Sequence, residues 1–305
     1  MLQTLYLFLF ACLFLSMILF PTLTFEGACN GLILWFQTIL PTLLPFVIIS
    51  NLLISTNLVH MLSQKLGFVF QKIFRVTPLG SYPIVAGFLC GYPMGAKTIA
   101  DMVKTNLISK NEGQYLLSFC NNTSPMFIIS YLVIQNLQDS ILITPCLMIL
   151  LGTPILCSFI FRIQYPKPTT LYFPIECSSP KTVFRFEYLD QAIMNGFETI
   201  TRVGGYIILF SIIFSLAKNL PYSIFVAFLE ITNGIPLLLN TTLSYEIRFA
   251  FCLSLVSFGG LCSVIQTRSM IQDSGLSIRP YIKEKLITAM VTSLIAYLYI
   301  LFIHS

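Results

Sequence analysis

The sequence predicts an all-α polytopic membrane protein, and three observations predict it. Of 305 residues, 56% are hydrophobic and only 10% are charged, against about 25% charged in a soluble domain. The apolar runs are about 18–25 residues long, the length of a helix crossing a bilayer. They do not alternate, so helices satisfy the backbone in lipid rather than the strands of a barrel.

Apolar runs lie near 4–25, 34–55, 114–136, 140–162, 193–217, 247–272 and 284–303. The first lacks a basic leader and exceeds the usual length of a signal core, so it is read as a span rather than a cleaved signal. Two further stretches, 79–107 and 222–240, are interrupted. Gly91, Pro93 and Gly95 break the first; Asn233, Gly234 and Pro236 break the second. Each reads as a re-entrant helical hairpin or as one kinked span, and charge favours the hairpin. With the N-terminus cytoplasmic and both stretches turning back, only Lys218 and Arg248 of the 17 basic residues fall outside. Lys283 and Lys285 count among those on the cytoplasmic side. Full crossing by either stretch destroys that asymmetry. Segment 57–78 reads as a short surface helix, and segment 163–190, with four prolines, as a cytoplasmic linker.

The order span, hairpin, broken span, span occurs twice. Phe36-Gln37-Thr38-Ile39 and Phe197-Glu198-Thr199-Ile200 open corresponding spans. The copies start on opposite sides, so the chain reads as two inverted repeats. The division is an N-terminal transmembrane helix over 1–30, a first repeat over 31–163, a linker over 164–190 and a second repeat over 191–305. Hairpin 79–107 and broken helix 114–136 belong to the first repeat, hairpin 222–240 and broken helix 247–272 to the second.

The broken spans carry the polar chemistry. Asn121, Asn122, Thr123 and Ser124 interrupt an apolar segment before Pro125, and Gly259 and Gly260 permit unwinding ahead of Ser263 and Gln266. Hairpins and broken spans together predict four half-helices starting near Met94, Pro125, Ile235 and Ser263. Such starts carry unpaired N–H groups and partial positive charge, which favour anions and carbonyl oxygens. Glu230, in an apolar context, reads as a substrate or ion ligand, or as a structural pair or cap. Lys97 either pairs with Asp101, four residues on, or offers its charge to an anion. Tyr92 either stacks on a planar ligand or packs. Asn121, Asn122 and Ser124 either line the site or satisfy backbone freed by the break, and with Asn233, Ser263 and Gln266 they complete the candidate substrate site. Glu198 and Arg202 read as an interfacial pair.

The scattered basic residues exclude a nucleic-acid footprint. The nine cysteines form no C-x-x-C pair, no metal-ligand spacing or cofactor motif occurs, and no catalytic set is present. An enzyme is therefore not expected. The expected partners are the lipid bilayer and a small polar solute. A coupling ion, proton or sodium, stays open, as does assembly into a homo-oligomer.

GFLCGYPMGAK (87–97), FCNNTSPMFII (119–129) and, more loosely, FGGLCSVIQ (258–266) resemble motifs of the YlbJ, or SpoVV, family of sporulation integral membrane proteins. The resemblance covers the chain from about residue 30 to its end. It implies membership among nucleoside-recognition (gate) domain proteins and a fold like that of concentrative nucleoside transporters. It also implies transport of dipicolinic acid, a small planar organic anion, across the outer forespore membrane. Gly91, Pro93, Gly95, Lys97, Asn121, Asn122, Pro125, Gly259, Gly260 and Gln266 match the motifs. A nucleoside or other polar metabolite carrier, or a non-transporting assembly partner, remains as an alternative.

Overall fold

The computed structural model describes residues 2–55, 67–165, 186–218 and 223–304, and these residues are helical throughout apart from turns and loops. The elements are α1 (Leu2–Leu19), α2 (Pro21–Leu34), a π-helical turn (Trp35–Ile39) and α3 (Leu40–Ser55). Then come α4 (67–74), α5 (Ser81–Cys90), α6 (Met94–Lys104), α7 (Lys110–Cys120) and α8 (Pro125–Phe127), which runs on as a π-helix (Ile128–Leu137). The remainder are α9 (Ile143–Phe161), α10 (Phe186–Ala217), α11 (Ser223–Val226), α12 (Ile231–Leu239), α13 (Tyr245–Phe258), α14 (Gly260–Met270) and α15 (Ile278–His304). Among the described residues six helical stretches are long and apolar enough to cross a membrane. Exposed Phe8, Phe14, Met148, Met290 and Phe302 face outward, as lipid permits and water does not. The protein is a multi-pass membrane protein.

The N-terminal boundary differs from the sequence reading. The first helix stops at Leu19, and Pro21 opens the next. Proline suits the first helical position because its missing N–H has no helical partner there. The second span then runs unbroken from Pro21 to Leu53, through the π turn. Residues 56–66, and 166–185 of the expected linker, lie outside the described residues.

α2 and α3 cross α10 closely. A Cβ on Gly27 or Gly31 would lie 2.8 Å from the Cα of Ile212 or Ile208, so this small-xxx-small pair lets two backbones touch. The π turn aims Trp35 across the same crossing, where its indole N–H donates to the Ile200 carbonyl at 2.9 Å.

α5 and α6 pack side by side around the turn at Gly91, whose φ is +78°. The second turn lies elsewhere than the sequence indicated. It falls at residues 227–230, and α12 runs straight through Asn233, Gly234 and Pro236. Glu230 caps the helix from its first turn. Pro236 cannot donate to the Thr232 carbonyl one turn back, and the Tyr131 hydroxyl donates to that oxygen instead. Gly234 serves close packing, since a Cβ there would strike the Ala227 carbonyl. The second broken span also resumes earlier than expected, at Gly260 rather than near Ser263. Gly259 at φ +87° and Gly260 at φ +75° make that early restart sterically cheap.

Candidate functional site

Each turn docks on a broken helix through the backbone. The Tyr92 N–H donates to the Asn122 carbonyl at 2.6 Å, while Leu261 and Cys262 donate to the Phe228 and Leu229 carbonyls at 2.8 and 2.9 Å. Unwound backbone buried in apolar surroundings needs such partners, because water is not there to supply them.

The half-helix starts are therefore capped rather than bare, which changes the chemistry the sequence suggested. Ser124 Oγ accepts from Phe127 N at 3.3 Å. Asn121 Oδ1 accepts from Ala96 N in the first turn of α6 at 3.1 Å. Glu230 accepts from Thr232 N at 3.1 Å, from Asn233 N and Asn233 Nδ2 at 2.9 Å each, and from the Thr232 hydroxyl. The dipoles still point inward, but side-chain oxygens take up N–H groups at three of the starts, and the Phe228 and Leu229 carbonyls do so at the fourth.

These starts converge on one partly enclosed cavity of about 40 Å³. Tyr92, Ser124, Glu230, Gly259, Ser263 and Gln266 line it, with Thr123, Thr232 and Cys262. Ile39, Thr42 and Leu43 from the second span, and Val203 and Ile207 from α10, close its other side. Glu230 is the acidic residue of this lining. Gln266 is 3% exposed; its Nε2 donates to Cys262 Sγ at 3.2 Å, and its Oε1 has no hydrogen-bond partner. A second, larger cavity of about 450 Å³ adjoins the first. Asn30, Lys218, Asn233, Asn240 and Tyr131 line it, and Thr232 is common to both walls.

Of the sequence-predicted substrate residues, Tyr92, Ser124, Glu230, Ser263 and Gln266 meet at the inner cavity, and Asn233 faces the larger one. Lys97 stands outside both, 3.3 Å from Asp101 Oδ2 and 3.4 Å from Asn51 Oδ1. Asn121 ties three helices together, because its Nδ2 donates to Thr267 Oγ1 and Tyr281 OH at 2.8 and 2.9 Å. Asn122 lies behind the wall, its Nδ2 donating to the Phe119 carbonyl. Gly91, Pro93, Gly95 and Pro125 form the first turn and the first break. The Arg202–Glu198 pair, at 2.6 Å, is exposed on α10.

Lys285 corrects the sequence reading most clearly. It was grouped with the cytoplasmic lysines, yet it is 2% exposed and donates to Asn122 Oδ1 at 2.9 Å. Its position seven residues inside the last helix was the available signal. Thr42, Thr232 and Cys262 were also missed, since single hydroxyls and thiols in apolar runs are unremarkable in sequence, whereas Thr123 was read as part of the polar run but not as a wall residue. Among the described residues no three His, Cys, Asp or Glu side chains gather as a metal site.

The chain is 25% identical to the sporulation integral membrane protein YlbJ of Bacillus subtilis (strain 168), over an alignment of 311 residues. That alignment takes in 88% of this chain and 75% of the relative. No protein-family profile matches the chain, and no solved structure matches it.

Proposed function

We propose, starting from the chain's place in the YlbJ family of sporulation integral membrane proteins, that it is a secondary carrier or facilitator of a small polar solute. The observation that carries this reading is the convergence of two helix turns and two helix breaks on one cavity whose wall includes Tyr92, Ser124, Glu230, Ser263 and Gln266. Broken helices meeting at a closed cavity are the usual substrate architecture of secondary transporters. The twofold order of span, hairpin, broken span and span supports two inverted repeats and a fold like the concentrative nucleoside transporters. In that frame α5–α6 and α11–α12 are re-entrant. The working cycle is alternating access, with turns and breaks moving as one body against α2, α3 and α10.

The substrate the family resemblance points to is dipicolinate, carried across the outer forespore membrane. Four inward helix starts favour an organic anion. A second reading, a nucleoside or similar neutral metabolite, is favoured by the wall itself. It offers Glu230 and the acceptor Gln266 Oε1 but no lysine or arginine. Purified protein in liposomes decides between them. Uptake of radiolabelled dipicolinate that unlabelled nucleosides fail to compete supports the anion; the reverse competition supports the nucleoside. No protein-dependent uptake of either sinks the carrier and leaves a membrane assembly partner.

A further inference from the structure

Lys285 is a buried amine that, among the described residues, has no carboxylate paired with it. Among the described residues the ion pairs within 4.0 Å are Lys97–Asp101 and Arg202–Glu198, and Lys285 belongs to neither. An ammonium taken out of water is strongly unfavourable unless oxygen atoms replace its hydration. Here two do: Asn122 Oδ1 at 2.9 Å and the Ser257 carbonyl at 3.3 Å.

Both oxygens belong to helix breaks. Asn122 lies in the unwound segment between α7 and α8. Ser257 is the last residue but one of α13. Its natural helical donor, the Leu261 N–H, is turned away to the Phe228 carbonyl. The carbonyl end of a half-helix carries negative potential. A side-chain oxygen and an orphan helix carbonyl, facing each other across two unwound helices, are the oxygen ligands that hold a coupling cation in other broken-helix carriers. The position also commands the cavity from behind. Asn122 adjoins Thr123 and Ser124, and Ser257 is two residues from Gly259, all on the cavity wall.

We propose that the Lys285 ammonium is the covalently tethered cation of this junction: it binds the two helix breaks together, and the ion exchanged there is a proton rather than sodium. On release one N–H bond breaks, the electron pair stays on nitrogen, and the proton passes to water. The neutral amine loses the charge-assisted part of both hydrogen bonds. The titratable groups facing Lys285 are the thiols of Cys120 on α7 and Cys157 on α9. On its own helix the preceding Glu284 accepts from the Tyr165 hydroxyl at 2.5 Å.

The tether itself does not require the carrier reading; the choice of proton as coupling ion does rest on it. Labelling of Cys262, on the cavity wall, tests the tether. Protein in liposomes at pH 6.5 is treated with N-ethylmaleimide and followed by peptide mass spectrometry. Lys285→Met, which keeps the stem and removes the charge, should label about tenfold faster than the parent, and Lys285→Arg within about twofold of it. Should the methionine variant fail to purify, Lys285→Gln takes its place with the same expectation. Exchange of sodium for N-methyl-D-glucamine should leave the parent rate unchanged. Equal rates in neutral variant and parent, an arginine variant as fast as the neutral one, or slower parent labelling in sodium each overturns the proposal. In the same liposomes an imposed pH gradient should drive solute uptake by the parent; uptake that follows a sodium gradient and ignores pH overturns the proton assignment. No uptake under any gradient removes the carrier reading, and the labelling result still decides the tether.

Discussion

Replacing Glu230 separates its two roles, because one is visible in stability and the other in uptake. Glu230 is 3% exposed and holds the backbone N–H groups of Thr232 and Asn233 at 3.1 and 2.9 Å. Glu230→Ala removes that cap, at about 0.5–2 kcal/mol for capping alone. It also leaves buried donors unpaired, at about 1–3 kcal/mol each. The neighbouring cavity of about 40 Å³ has room for water to recover part of this. The net expectation is a loss of about 2–4 kcal/mol for alanine and about half that for Glu230→Gln, which keeps one acceptor oxygen. Unfolding by sodium dodecyl sulfate in mixed micelles, read from the fluorescence of Trp35, the sole tryptophan, measures it. If both variants fall within about 0.5 kcal/mol of the parent, the cap contributes nothing. A carboxylate kept for solute alone would give that result together with altered uptake.

Gly204→Ala places a Cβ about 2.6 Å from Trp35 Nε1 while Gly205→Ala meets open space, so tryptophan emission should shift in the first variant and not in the second. Gly91→Ala combines φ +78° with a Cβ 2.6 Å from Ser124 N; it should lose the monodisperse peak on size-exclusion chromatography, which Gly152→Ala, with no atom within 4 Å, should retain. Tyr131→Phe should cost about 1 kcal/mol by orphaning the Thr232 carbonyl, and much less in a Pro236→Ala background, where alanine restores the helical donor. Arg202→Ala, breaking an exposed pair, should change unfolding free energy by under about 0.5 kcal/mol.

What the sequence made legible was local. Gly91, Pro125, Gly259 and Gly260 mark chain breaks because glycine and proline act on their own dihedrals and their own N–H groups. The same rule misled at Pro236, where the Tyr131 hydroxyl, 101 residues from the Thr232 carbonyl it serves, replaces the missing donor and keeps the helix whole. Glu230 was recognisable as costly and as a possible cap, but which helix it caps depended on placing the turn four residues earlier. Lys285 was illegible for a comparable reason. A lysine near Arg279 and Lys283 reads as one more cytoplasmic anchor, and its acceptor on Asn122 lies 163 residues away in the chain.

The two sides of the inner cavity are held by different forces, and that difference bears on how the proposed carrier would open. A cavity of about 40 Å³ accommodates water and not a ringed solute, so a carrier working through it would have to part its walls. Turns and breaks are joined to one another by directional bonds: Tyr92 to Asn122, Leu261 to Phe228, Thr123 Oγ1 to the Val256 carbonyl at 2.8 Å, and Lys285 across both breaks. Separating them would leave buried polar groups unpaired, which is expensive in an apolar medium. The opposite wall meets them through Ile39, Leu43, Val203 and Ile207, with Asn233 to Ser211 and Lys97 to Asn51 at its margins. That wall is itself braced, by Trp35 to Ile200 and Asn51 to Ala192. Apolar contacts are non-directional, and side chains of this kind can slide past one another without stranding a donor or acceptor. The plane between α2, α3 and α10 on one side and the knot of turns and breaks on the other is therefore where opening costs least.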